Sequence, residues 1–138
     1  MAYYNKIGLL VLNENREKFL VCEKAPENVT SDYIMPGGKF EEETIEKCLE
    51  NEIKEELGCE VNLKSLEYIG EYSDVAAGDS KSNVSIRLYK GSLIGDPIPS
   101  TEIKAIHWIS KKDLNNPRVS LVIRNKIIPD LIKRNILK

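Results

Sequence analysis

The stretch that decides the fold runs from residue 37 to residue 59: Gly37-Gly38-Lys39-Phe40-Glu41-Glu42-Glu43-Thr44-Ile45-Glu46-Lys47-Cys48-Leu49-Glu50-Asn51-Glu52-Ile53-Lys54-Glu55-Glu56-Leu57-Gly58-Cys59. From Thr44 to Leu57 no Gly or Pro intervenes and helix formers dominate, so a helix is predicted there with Gly58 as its stop. Between Glu41 and Glu56 stand eight glutamates and two lysines, a local charge of −6, so the rest of the chain carries +4 toward the net −2. Composition alone suggests a solvated helix face. The angular positions do not. At about 100° per residue, with Ile45 at zero, Cys48, Leu49, Ile53 and Leu57 form an apolar arc from about 300° through zero to about 120°. Glu43, Lys47, Glu50, Asn51 and Lys54 lie opposite. Glu52 (about 340°) and Glu56 (about 20°) fall inside the apolar arc, and Glu55 (about 280°) sits at its edge.

Carboxylates on the core side cannot be left bare, because burying an ionised one unpaired costs several kcal/mol and like neighbours raise one another's pKa. They are protonated, or met by basic groups such as Arg87 or Lys104, or met by a cation. Glu52, Glu55 and Glu56 have i, i+3, i+4 spacing, which directs their side chains to one patch. Three hard oxygen ligands with room for water suit Mg²⁺ or Mn²⁺. The cation is the preferred answer.

The spacing Gly37-x5-Glu43-x7-Asn51-Glu52-Ile53-x-Glu55-Glu56-x-Gly58-Cys59 resembles the signature of the Nudix (MutT-like) hydrolases, G-x5-E-x7-R-E-U-x-E-E-x-G-U. The resemblance implies an α/β (α+β) fold, an α/β/α sandwich with a mixed β-sheet and a loop–helix–loop site. It implies hydrolysis of a nucleoside diphosphate linked to a further group, with Mg²⁺ or Mn²⁺. Carried over, Glu52 and Glu56 are metal ligands, Glu55 is a further ligand or the base that activates water, and the carbonyl of Gly37 is a ligand too. Glu52 and Glu55 are then the catalytic pair. Two departures stand out. The family's Arg is Asn51 here, and that Arg pairs with the glutamate at Glu43; Asn cannot make such an ion pair, whereas Lys47, four residues after Glu43, can supply part of it. The count also works only from Gly37, with Glu42 before Glu43, so the loop is one residue shorter.

Outward from the helix, the chain reads as strands. Ile7–Leu12 and Lys18–Cys22 are apolar runs around the turn signal Asn13-Glu14-Asn15, and are read as a hairpin. Residues 25–32 are loop chemistry, and Tyr33-Ile34-Met35 is a brief strand stopped by Pro36. Glu67–Tyr72 and Val84–Tyr89 alternate as strands, joined by a polar stretch around Gly78. Ile103–Ile109 is another strand. Val119–Leu137 is apolar at helical spacing, with Pro129 opening its last segment. The 138 residues fit one domain, 1–138.

Composition excludes other classes. The net charge of −2 disfavours an electrostatic binder of nucleic-acid polymers. No apolar run approaches the ~18–20 residues of a membrane span, and the start lacks signal-peptide order. Cys22, Cys48 and Cys59 show no CxxC spacing and are read as buried hydrophobes, so the expected compartment is the cytoplasm. A monomer and a homodimer are both left open.

Weaker candidates for substrate binding are Tyr33, Glu102 and Asn116: a ring to stack on a base, a second acidic group near the site, and an amide to read a purine edge. Trp108 is expected in the core and His107, the one histidine, half-buried and structural. The preferred activity is cleavage of a nucleoside triphosphate to monophosphate and diphosphate. The small size resembles the branch that includes enzymes acting on 8-oxo-dGTP, a substrate that no residue here selects. The alternatives are an ADP-ribose or nucleotide-sugar hydrolase, a nucleotide-binding module with weakened turnover (motivated by Asn51), and a purely structural acidic helix.

Overall fold

The computed structural model describes residues 3–24, 33–76 and 79–138. The loop expected at 25–32 and the turn around Gly78 lie outside the described residues. The first strands are apolar at every position from Leu9 to Val11 and from Phe19 to Cys22, and all seven side chains are buried. A strand of that kind needs cover on both faces.

It has it. Strand β1 (Tyr3–Leu10) sits inside a mixed four-stranded sheet of order β4-β1-β7-β6, antiparallel to β4 (Gly37–Lys39) and parallel to β7 (Asp79–Lys90), with β6 (Glu67–Ala76) at the edge. Strand β2 (Lys18–Lys24) lies in a second, antiparallel sheet between β3 (Tyr33–Ile34) and β9 (Ile103–Ser110). Short strands β5 (Glu60–Val61) and β8 (Leu93–Ile94) pair with each other.

The expected β1–β2 hairpin is therefore corrected. The runs pair antiparallel only next to their turn, at the bridge Leu12–Phe19, where the Asn13 N–H donates to the Lys18 carbonyl and the Leu20 N–H to the Val11 carbonyl, and beyond it the two strands belong to different sheets. Apolar continuity gave each strand two buried faces, and a strand buried on both faces takes its partners from anywhere in the chain.

Alternation then sorts the side chains into two cores. Ile7, Leu9, Val11, Leu20 and Cys22 join Cys48, Leu49, Ile53 and Leu57 of helix α1 (Ile45–Leu57). Leu10, Phe19 and Val21 face the other way, against Val122, Ile123, Ile127, Ile128 and Leu131 of the C-terminal helical segment. That segment is a π-helical turn, Ile123–Ile127, running into α2 (Ile128–Lys133), with Pro129 in its first turn. Helix, sheets, helix: the layered mixed fold expected from the sequence is the one observed.

Helix α1 keeps both of its punctuation marks. The Thr44 side chain accepts from the Lys47 N–H, and Gly58 closes the helix at φ 62°. The three cysteines are free and buried, as expected. Trp108 corrects an expectation. Trp108 lies on β9 opposite Leu20 and is 42% exposed rather than buried. No helix among the described residues is long and apolar enough to cross a membrane.

Candidate active site

Burial of α1 follows the angular reading. Glu56 is 4% exposed, Glu52 is half-buried and Glu55 is exposed at the edge. Glu56 is held by one neutral donor: the Gly37 N–H reaches its Oε1 at 2.8 Å. Burial pushes its pKa up to about 7, helped by the charge of Glu52 and opposed by the Gly37 hydrogen bond and by Lys24 and Lys6. Glu52 is also shifted upward, by burial first and then by Glu55, with Glu41 and Glu102 adding to it and Lys24 opposing.

The glycine pair makes this possible. Gly37 has φ 136°, and a Cβ there would come within 2.0 Å of the Ile7 carbonyl oxygen. A Cβ on Gly38 would overlap the Glu52 carboxyl group, 2.4 Å from its carbon. Gly38 thus leaves open the cradle in which Glu52 lies. Strand β4 is positioned by its register with β1, Gly38 opposite Ile7 and Gly37 opposite Gly8.

The three glutamates do not converge as their helical spacing suggested. Among the described residues no three His, Cys, Asp or Glu side chains form a group that could hold a metal. Glu56 is drawn inward to Gly37, Glu55 stays in solvent, and like charges repel. The donor set nonetheless fits a hard divalent cation. It offers carboxylate oxygens that burial and mutual repulsion leave under-compensated, with the cradle beside Gly38 open to them. Arg87 and Lys104 do not meet these carboxylates. Arg87 lies over the Phe40 ring and Lys104 pairs with Glu23.

Asn51 donates to Glu42 at 3.0 Å rather than to Glu43. Glu43 and Lys47 are both exposed, and no ion pair joins them. Of the weaker candidates, Glu102 is exposed just before β9 and acts on Glu52 through its charge. The Asn116 amide is used inside its own turn, donating to Asp113 and accepting from the Arg118 N–H. Tyr33 stacks on His107 with ring centroids 4.3 Å apart.

His107 and Tyr33 belong to a charge cluster that the sequence did not announce. Glu23, 5% exposed, bonds His107 Nε2 at 2.6 Å and Arg118 at 2.8 Å, with Lys104 at 3.5 Å. Also missed was a cavity of about 240 Å³ on the far side of β4 and β1. Its wall includes Lys6, Gly8, Met35, Gly37, Gly38, Ile86, Ser120 and Val122. Ser120 is 2% exposed and its hydroxyl has no hydrogen-bond partner among the described residues. Lys6 is half-buried. Burial lowers its pKa, and Lys24 and Lys39 push the same way against Glu56 and Glu52.

With this geometry in place, the NUDIX domain profile matches residues 3–131. The chain belongs to the NUDIX family. No curated protein matches it. Solved structures do. A MutT protein from Methanosarcina mazei Go1 superposes with TM-score 0.73 at 19% identity, covering 97% of this chain and 96% of that one. The E. coli ORF135 protein gives 0.72 at 19% identity, over 98% and 92%. A MutT NUDIX hydrolase from Burkholderia pseudomallei gives 0.68 at 20% identity, over 90% and 95%. This Nudix chain is a hydrolase of nucleoside diphosphates linked to a further group, and its family generally needs divalent cations.

Proposed function

We propose that this Nudix hydrolase cuts a nucleoside triphosphate to the monophosphate and diphosphate, with the base in the cavity and the phosphates over the carboxylates of α1. One observation supports the reading above the rest. Gly37 and Gly38 line the cavity and also meet Glu56 and Glu52. A ligand spanning both sides of that strand is flat and mostly apolar at one end and polyanionic at the other, as a nucleotide is. The cavity is below the roughly 300–1,000 Å³ of drug-sized sites, in keeping with a single base.

Glu52, Glu55, Glu56 and the Gly37 carbonyl would hold Mg²⁺ or Mn²⁺, which offsets phosphate charge and lowers the pKa of bound water. Glu56 accepts from the Gly37 N–H, which ties the helix face to the glycine strand. The Glu52–Glu55 pair takes the proton of the attacking water. Burial keeps the proton affinity of Glu52 above that of an ordinary carboxylate, which suits a base working near neutral pH. Water oxygen bonds to phosphorus, and the bond to the diphosphate oxygen breaks. Lys6 and Lys39, in the cavity wall beside the glycines, face the negative end of the ligand.

The test is a nucleotide panel with Mg²⁺ and with Mn²⁺, products identified. Triphosphates should release diphosphate, and Glu52→Gln and Glu55→Gln should each lower turnover by about 10²–10⁴-fold without changing the circular dichroism spectrum. Faster cleavage of ADP-ribose or a nucleotide sugar would move the substrate class. Wild-type rates in both variants would overturn the residue assignment.

A further inference from the structure

Strand β3 is two residues long, and both of its edges are taken. On one side Tyr33 pairs with Glu23 of β2. On the other a much later part of the chain runs beside it. The Tyr33 N–H donates to the Arg118 carbonyl at 2.9 Å, and the Ser120 N–H donates to the Tyr33 carbonyl at 3.0 Å. Residues 118–120 therefore lie parallel to β3, bridged at Val119. The Arg118 side chain fastens the same segment a second time. Its Nη2 meets Glu23 Oε2 at 2.8 Å, and its guanidinium lies 5.0 Å from the centre of the Tyr33 ring. Glu23 is itself anchored: its other oxygen bonds His107 at 2.6 Å, and the His107 ring stacks on Tyr33. Charge-assisted hydrogen bonds are stronger than neutral ones, so the joint is firmer than its two backbone bonds alone.

What the joint holds is the cavity. From Tyr33 the chain passes into Ile34 and Met35, and from Arg118 into Ser120 and Val122, and both stretches belong to the cavity wall. Arg118, Glu23, Tyr33 and His107 do not line it. Arg118 therefore acts on the space inside only through its neighbours, by setting how the two stretches of wall stand to one another. Close-packed interiors pass such displacements on rather than absorb them.

We propose that Arg118 is a positioning residue for the nucleotide: by tying residues 118–120 to β3 through Glu23, it fixes the wall against which the base packs. The proposal rests on the cavity being the base subsite of the hydrolase reaction above. The carboxylates of α1 are fastened separately, through the hydrogen bond from Gly37 to Glu56. Loss of Arg118 therefore falls on base binding and spares the chemical step. The Arg118 side chain is half-exposed, so truncating it opens no hole in the core.

The experiment is calorimetric titration of the full chain with the common nucleoside monophosphates and with ribose 5-phosphate, which keeps sugar and phosphate and lacks the base. It is run beside kcat and KM for the best triphosphate. Arg118→Ala should weaken the tightest monophosphate and raise KM by about five- to tenfold, a coupling usual within one hydrogen-bond network. Affinity for ribose 5-phosphate and kcat should stay within about twofold of wild type, the pattern of binding lost equally from ground and transition states. Arg118→Lys, which keeps a cation for Glu23, should recover most of the loss. Adding Glu23→Gln to Arg118→Ala should weaken the monophosphate no further, because the two side chains make one joint. Equal weakening of monophosphate and ribose 5-phosphate would overturn the proposal, since that pattern makes Arg118 a phosphate contact. So would a lower kcat at unchanged KM. A base preference that survives Arg118→Ala sinks this inference alone. A wild type that binds ribose 5-phosphate as tightly as every monophosphate has no base subsite, and the reading beneath falls with it.

Discussion

Glu23 and Glu56 are both carboxylates shielded from solvent, 5% and 4% exposed, and the protein treats them in opposite ways. Glu23 is surrounded by partners: His107, Arg118 and Lys104 all reach it within 3.5 Å. The His107 hydrogen bond is the main reason its pKa lies below the ordinary carboxylate value, with Arg118 and Lys104 adding to it and burial opposing. Glu56 has one backbone N–H, two lysines farther off and the repulsion of Glu52. One carboxylate is satisfied by the fold. The other is left short of positive charge, and such a shortfall in a cleft marks a place where a ligand completes the electrostatics.

The widest gap between the two should open with pH. Glu56 binds its proton more tightly folded than unfolded, so its contribution is full below about 4.5 and is lost as pH rises through about 7. Glu56→Gln keeps an acceptor for Gly37 and removes the charge. In chelator at pH 8 the variant should be the more stable protein, by up to about 3 kcal/mol, with no difference at pH 4.5. Mg²⁺ or Mn²⁺ should raise the wild-type melting temperature by mass action, and the variant should lose most of that gain. Melting curves at the two pH values decide it. A Glu56→Gln protein less stable at pH 8 would make Glu56 a second Glu23.

Glu23 carries the reverse sign. Its folded pKa is lowered, so its contribution is present above about 4.5 and disappears as pH falls through the folded value. Glu23→Gln should cost about 1–3 kcal/mol at pH 7, and the cost should close in acid. Urea titrations at pH 7 and pH 3 measure both ends. A loss that persists unchanged at pH 3 would show that packing, not charge, makes Glu23 matter.

The smallest stability effect belongs to the outer face of the same helix. Asn51→Arg can pair with Glu43, an exposed contact worth about 0–1 kcal/mol. Turnover should rise by more than that figure suggests, because misplacing a catalytic group by about 1 Å costs on the order of 100-fold. Lys47→Ala should change nothing, since Lys47 makes no ion pair with Glu43. Rates of the two variants beside the wild type test this, and no change in either shows that Glu43 works without a partner.

Helix α1 was legible in the sequence because every determinant is local: Thr44 caps it, Gly58 ends it, and the angle of each side chain follows from its position. The burial of Glu56 came from that arithmetic. The opposition between Glu56 and Glu23 did not. Glu23 finds His107 at a separation of 84 residues and Arg118 at 95, distances at which sequence pattern carries no signal. Lys6 and Lys24 near Glu56 depend on strand register, and the hairpin expected of β1 and β2 shows how poorly a doubly buried strand declares its partners. Ser120 read as one polar residue in an apolar tail.

The parallel pairing of β1 with β7 has a consequence for how the molecule is made. The glycine strand, Lys6 and all of helix α1 lie within residues 1–57, joined by the β1–β4 ladder, whose partners are 29 to 33 residues apart. Val84, Ile86 and Ser120, the far wall of the cavity, come from the second half of the chain, and Gly8 meets Leu88 only across 80 residues. Contacts of low sequence separation form first because their loop closure costs least. A chain leaving the ribosome N-terminus first therefore holds its acid-bearing part before the far wall of the cavity exists, and the cavity is the last feature of the molecule to close.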